Sequence, residues 1–440
     1  MRDERGVVLP LVLLVLVAML SLTLGVLALA AFEPAISRNL ADATQARFAA
    51  EAGIEWAFDL LARTRDWNTR LVGAGPAGVT LTTGSRIGTL PPARGTYTVV
   101  LRNDTLPGDR AITGVAPDQS PTDDRNRVVI VASTGTVGTA TRTIRVALRR
   151  LTFPVNLFPA ALAFPGTEAE VTFNGNSFEV DGRGWKANPP DPNNPNNPAN
   201  FDSGCAPVFG ISVSSVLPAP NPGANEAVVE DALSAQQKDN VKGKRQNPAL
   251  PGEGDNTVAP HPELTPALVQ EFIDQAKAAA DITLVSRQPD GLTFNNIGAT
   301  CASDVNSPTC WGTPDSPKIV YVRGEPDPTS MFSALQLGGN TQGYGILIVE
   351  DGDLKIHGNF LWHGAIIVTG RWVGVGYMGG GNQVVYGAVI SNETSTDPGF
   401  REGVMTGNAK IRYSCEALAG AQTARRLTTI ATWKDLAPGE

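Results

Sequence analysis

From Val7 to Ala31 the chain carries no charged side chain. As a helix rising 1.5 Å per residue this stretch reaches about 38 Å, and a bilayer core is about 30 Å thick. Arg2 and Arg5 precede it, so the positive-inside rule keeps the N-terminus cytoplasmic and sends the remainder across. A secretory signal peptide cut after Ala28-Leu29-Ala30 is the competing reading, although the apolar cores of signal peptides run only about 7–15 residues. The pattern also continues past the apolar stretch. Ile36, Leu40, Ala43, Ala46, Ala50, Ile54, Ala57 and Leu61 recur at steps of three or four, with Arg38, Asp42, Gln45 and Asp59 opposite. The expectation is an apolar rod running directly into an amphipathic helix that ends near Arg65.

A chain of 440 residues has length for two or three domains. Its 46 glycines and 33 prolines point to a turn-rich, β-heavy remainder. The net charge of −8 argues against a protein coated for nucleic acid. Three histidines and four cysteines leave little material for a metal centre, so no metal and no cofactor is expected. The sequence holds no GxSxG, HExxH or P-loop motif. Asp353, Lys355 and Arg371 are the residues that a β-helix lyase would draft, but nothing in their pattern sets them apart. No catalytic residue is assigned and no enzyme is expected.

Beyond the helix, Tyr97, Val99 and Leu101 alternate with polar or smaller partners, Val128–Ser133 is a short apolar run, and Ile144, Val146 and Leu148 alternate again. Gly135 and Gly138 are expected to mark the hairpin between the last two strands. Arg142, Arg145, Arg149 and Arg150 form the densest basic cluster, with a second group at Lys242, Lys244 and Arg245. Either these form a docking patch for DNA phosphates or an acidic partner, or the arginines are the solvated face of a strand.

The C-terminal half repeats itself. A ring residue, a glycine and an apolar strand recur at Phe209-Gly210, Tyr344-Gly345, His363-Gly364 and Tyr386-Gly387, and the last three of these pairs are almost evenly spaced. Gly-Asn pairs accompany them at 175–176, 339–340, 358–359, 381–382 and 407–408. A period near 20 with Gly/Asn corners suits one rung of a β-solenoid, in which asparagines at equivalent corners stack as a ladder. An antiparallel meander is the alternative. The Pro/Asn stretch 187–200 and the polar stretch 221–262 are loops, and Thr265-Pro266 caps a helix reaching about Ala280 with Leu268, Phe272, Ile273 and Ala276 on one side. The four cysteines allow three pairings. Cys301 and Cys310 are close enough to close a local loop, which leaves Cys205 for Cys415.

The fold class read from these features is α+β and mostly β. Residues 7–65 form the long helix, with a transmembrane segment at 7–31. Residues 66–155 form a small antiparallel β domain. Residues 156–420 form a β-solenoid with an inserted loop and helix region at about 216–330, and 421–440 are a C-terminal tail.

Arg5-Gly6, the apolar helix, and Gln45-Ala46-Arg47-Phe48-Ala49-Ala50-Glu51-Ala52-Gly53 together resemble the N-terminus of PilX-type minor pilins of type IV pilus systems, and are similar in layout to type II secretion pseudopilins. Ser133–Gly138 before Thr141-Arg142-Thr143 resembles the sheet region of the same proteins. A β-solenoid on such a base is similar to competence minor pilins of Thermus-type bacteria. The resemblance implies a prepilin leader over residues 1–6, cut by prepilin peptidase after Gly6, with N-methylation of Val7. It implies other pilins and minor pilins, the inner membrane and the pilus assembly platform as partners. The head would be exported before assembly and stand on the pilus at the cell surface afterwards. Leu11 occupies the fifth mature position, where major pilins carry a Glu, and that departure suits a tip or assembly-priming subunit. DNA capture for natural transformation, or adhesion to a surface glycan through Trp185, Trp362 or Trp372, are the alternative roles.

Overall fold

The computed structural model describes residues 8–64, 66–86, 95–154, 156–166, 171–214, 224–244, 258–325, 332–371, 373–378, 380–394 and 403–436. Gly6, Val7, Arg245 and Trp372 lie outside the described residues. The chain divides into two units. One holds Met1–Asp59, Asp66–Arg149 and Ile430–Glu440, and the other holds Leu60–Arg65 and Arg150–Thr429.

The apolar and amphipathic segments form one helix, α1 (Val8–Arg63), of 56 residues. In the first unit, the antiparallel strands β1 (Val79–Arg86), β2 (Gly95–Asn103), β3 (Val128–Val137) and β4 (Ala140–Arg150) follow, with one helical turn, α2 (Arg110–Thr113), between β2 and β3. The strand Thr428–Leu436, from the segment read as a tail, completes a five-stranded sheet beside β4. Along β2 buried and half-buried residues alternate, so one face meets the helix. The helix supplies small residues to that contact: Ala46, Ala49, Ala50, Gly53, Ile54 and Ala57 are buried, while Ile36 and Leu40 are exposed. Gly135 is not a corner. It lies within β3, and a Cβ there would stand 1.9 Å from the Ala46 carbonyl oxygen. Gly138, at φ 57°, makes the turn.

The second unit is built on parallel pairing. Its elements are β5 (Ala160–Phe164), β6 (Val171–Asn174), β7 (Glu179–Asp181), β8 (Phe209–Val213), α3 (Ala224–Asp231), α4 (Ala235–Lys238), β9 (Val241–Lys242), β10 (Val258–Pro260), α5 (Pro266–Ala278), β11 (Ile282–Val285) and β12 (Leu292–Asn295). They continue as β13 (Lys318–Arg323), β14 (Leu335–Gly338), β15 (Asn340–Glu350), β16 (Leu354–Ile356), β17 (Asn359–Gly370), β18 (Val375–Tyr377), β19 (Asn382–Glu393), β20 (Gly403–Thr406), β21 (Asn408–Tyr413) and α6 (Cys415–Ala421), before β22, the strand Thr428–Leu436 already placed. From β11 to β20 the chain alternates between an 11-stranded and a six-stranded sheet. The larger runs β10-β8-β5-β19-β17-β15-β13-β11, with β21, β7 and β9 branching in that order from β19, and the smaller runs β12-β14-β16-β18-β20-β6.

Chain order and stacking order differ. The first strands, β5 to β10, stack beyond β19 to β21, at the far end from β11. Helix α5 returns the chain across the sheet, so that β11 starts at the other end. The stretch read as an insertion therefore supplies β9, β10, β11, β12 and β13 to the sheets. Thr265 caps α5 by accepting from the Leu268 amide at 3.2 Å, and Val269, Phe272, Ile273 and Ala276 are buried.

Register explains the apolar runs. Val320, Leu347, Ile366 and Val389 align across four strands and face the interior with Leu335, Leu354 and Trp362. Ile319, Ile346, Ala365 and Ala388 align one residue earlier and pack in the core that includes residues of α5 and α6. Both faces are covered, so these strands carry apolar residues at successive positions instead of alternating.

Candidate functional site

Among the described residues, none from Val8 to Gln45 is buried. This part of α1 is long and apolar enough to cross a membrane. Its only polar side chains before Ala31 are Ser21 and Thr23, and each donates to a carbonyl one turn back, Val17 and Met19, at 2.7 Å. No side-chain donor is left to face hydrocarbon. Further along, the AAEAG segment splits by face. Ala49, Ala50 and Gly53 turn to the sheet, and Glu51 pairs outward with Arg47 at 3.2 Å.

The ring-glycine motif forms a column. Tyr344, His363, Tyr386 and Arg412 occupy one register position on β15, β17, β19 and β21. Tyr344 stacks on His363 with centroids 4.4 Å apart, and His363 on Tyr386 at 5.4 Å. The next residue is glycine on three of these strands, at φ 128°, 127° and 145°. A Cβ on Gly364 or Gly387 would stand within 2.0 Å of the preceding glycine's carbonyl oxygen. Arg412 closes the column: it is 1% exposed, donates to both Glu179 oxygens at 3.0 and 3.3 Å, and lies 3.7 Å over the Trp185 ring. Burial holds the His363 imidazole down to about 4, so it is neutral at physiological pH. A cavity of about 60 Å³ lies against Tyr344, His363, Thr313, Pro317, Glu416 and Ala421. Ligand pockets run to several hundred Å³, and this one has room for water only.

The corner asparagines bond to one another. Asn340 N donates to Asn296 Oδ1 at 2.9 Å, Asn359 Nδ2 to Asn340 Oδ1 at 2.9 Å, and Asn382 N to Asn359 Oδ1 at 3.0 Å. The disulfides join Cys205 to Cys415 and Cys301 to Cys310.

The basic residues do not gather in one patch. On β4, Arg142 and Arg150 share the face of buried Ile144, Val146 and Leu148, whereas Arg145 and Arg149 are on the other face. Arg150 is 6% exposed; it donates to the carbonyls of Ala62 at 3.0 Å and Thr64 at 2.6 Å, and also to that of Leu61. It neutralises the open carbonyls at the end of α1 and is not on offer to a phosphate. Arg149 donates to the Thr113 carbonyl at 3.0 Å. Lys242 and Lys244 belong to the other unit, beside Asp181 and over the Phe209 ring. Strand alternation was legible in the sequence and was the signal against a single arginine patch.

Trp185 and Trp362 are fully buried and present no ring to a glycan. Asp353 is 4% exposed, accepts from the Gly374 amide at 3.0 Å, and is pushed up by burial to about 6. It is a corner residue of the fold. Among the described residues no group of three or more His, Cys, Asp or Glu is arranged to hold a metal.

No protein-family model matches the chain, and no curated protein does. Among solved structures, the chain matches the competence-associated pilin ComZ from Thermus thermophilus at 12% identity, over 90% of this chain and 98% of that one, with a TM-score of 0.24. A TM-score that low does not establish a shared fold.

Proposed function

We propose that this protein is a membrane-anchored minor pilin or pseudopilin of a type IV filament, carrying a β-solenoid head at the tip or in a priming complex. The observation that carries the reading is the division of α1. Its first part, Val8 to Ala41, is exposed at every residue whose side chain is described, and its second part packs a stripe of small residues on an antiparallel sheet. The uncovered part needs hydrocarbon or neighbouring helices as its environment, since exposed apolar surface on that scale is not held in water. The resemblance at Arg5-Gly6 and at Gln45–Gly53 supplies the pilin pathway, with cleavage after Gly6 and Val7 as the mature terminus. Leu11 in place of the usual acid supports a position with no subunit above it. Parallel in-register strands, positive-φ glycines and the asparagine ladder support the solenoid reading of the head.

The test is localisation with a graded anchor. The intact chain is expected in the membrane fraction and in sheared filaments. Leu16→Arg with Leu20→Arg puts two charges in the span, at about 2.5–3.5 kcal/mol each near the helix centre, and is expected to abolish both. A double variant that still enters filaments would overturn the reading.

A further inference from the structure

The connection between β2 and β3, residues 104–127, is fastened by asparagine side chains at its ends and from outside it. Asn103, the last residue of β2, donates to the Ser120 and Asp123 carbonyls at 2.8 and 3.0 Å. Asn126 donates to both Asp104 oxygens and to the Ala116 carbonyl, each at 3.0 Å. Asn68 belongs to the single turn Trp67–Arg70 that follows α1. Its Oδ1 accepts from the Asp124 amide at 2.7 Å, and its Nδ2 donates to Asp123 at 3.3 Å. The connection is thereby clasped to the turn after the helix.

One side chain at that clasp is poorly provided for. Asp124 is 2% exposed. Its Oδ1 accepts from the Val128 amide at 3.2 Å, a donor it shares with Asn126, and among the described residues its Oδ2 has no hydrogen-bond partner. The charges that act on it come from its own connection: Arg127 favours the carboxylate and Asp118 disfavours it. The turn after α1 meets it through the neutral Asn68, and β3 through the Val128 amide. A dry, half-partnered carboxylate is costly to bury, and the protonated form avoids most of that cost. Beside it, Arg127 stands at φ 58°, a left-handed backbone that a residue with a Cβ adopts only when its surroundings hold it there.

We propose that the β2–β3 connection is a pH-sensitive clasp, closed on the turn after α1 while the Asp124 carboxyl keeps its proton and released when that proton is lost. Burial raises Asp124 from 3.8 to about 7. Opening the connection returns the carboxyl to water and to its ordinary range. Between those values the closed form therefore holds a proton that the open form has lost, and closure weakens as pH rises across the window. Each pH unit inside it changes the opening equilibrium by up to about tenfold. Asp104, fully buried and likewise raised by burial, pulls in the same direction. The clasp lies wholly within the first unit and does not depend on the filament role.

The test is hydrogen exchange of the full chain in detergent, read by mass in peptides from the 104–127 connection and corrected for the intrinsic pH dependence of exchange. Protection is expected to fall by up to about tenfold per unit as pH rises toward about 7, and then to level. Asp124→Asn keeps the side-chain shape without the charge, and is expected to reduce the fall to the share left by Asp104. Wild-type protection that stays level through the window overturns the proposal. A fall of unchanged steepness in Asp124→Asn also overturns it, as does a fall shared equally by peptides of β17, which would report global unfolding instead of a local release.

Discussion

Glycine does two different jobs in this protein, and substitution separates them. At Gly135 the helix backbone occupies the space a side chain would need, whereas at Gly138 nothing stands within 4 Å and only the positive φ matters. Gly135→Ala is expected to cost about 3 kcal/mol through overpacking, and Gly138→Ala about 1–2 kcal/mol through the left-handed backbone. Denaturant unfolding of the two variants checks the order. The buried pair Glu179–Arg412 makes a third case. Glu179→Ala strands a guanidinium that is 1% exposed and is expected to cost about 3–5 kcal/mol.

Two buried titrating groups pull stability in opposite directions with pH. Burial raises Asp353 from 3.8 to about 6, so between those values the folded state holds a proton that the unfolded chain has lost, and stability falls as pH rises. Burial lowers His363 from 6.5 to about 4, so the unfolded chain binds the extra proton and stability rises with pH over that window. Each slope amounts to about 3 kcal/mol at most. Asp124, which burial raises to about 7, adds a second falling contribution over the same range, so relative to wild type Asp353→Asn is expected to make the fall between pH 4 and 6 shallower and His363→Phe to make it steeper. Urea midpoints across that range decide it; parallel profiles for the two variants would contradict the assignment.

At the scale of elements, the disulfide Cys205–Cys415 closes 210 residues and ties the loop before β8 to the start of α6, while Cys301–Cys310 closes nine. Loop-closure entropy gives the long one about 5 kcal/mol and the short one about 2–3 kcal/mol. Serine replacement of each pair is expected to lower the melting temperature in that order. Sequence reading found the elements whose signal is local. The helix stripe at Ala46, Ala50, Ile54 and Ala57 is a spacing, and the ring-glycine column and corner asparagines are a repeat. It mistook Gly135 for a corner because a close helix approach and a turn both select glycine. It passed over β10 to β12 because strands of three or four residues carry too few positions for a period.

The whole molecule was the least legible scale. Nothing local in 428–436 says that it completes a sheet begun at Val79, since pairing between segments so far apart along the chain leaves no trace in composition. The same holds for α5, which carries the chain across the parallel sheet so that later strands precede earlier ones in space. What the sequence held at this scale was the division between an uncovered apolar helix and a β-rich remainder, and the proposed filament role rests on it. The most direct measurement is the N-terminal peptide mass of the protein recovered from membranes or sheared filaments, with and without prepilin peptidase. The expected result is a peptide beginning at N-methylated Val7 that is lost when the peptidase is absent. A peptide beginning at Ala31, or an uncut chain in the presence of the peptidase, would contradict it.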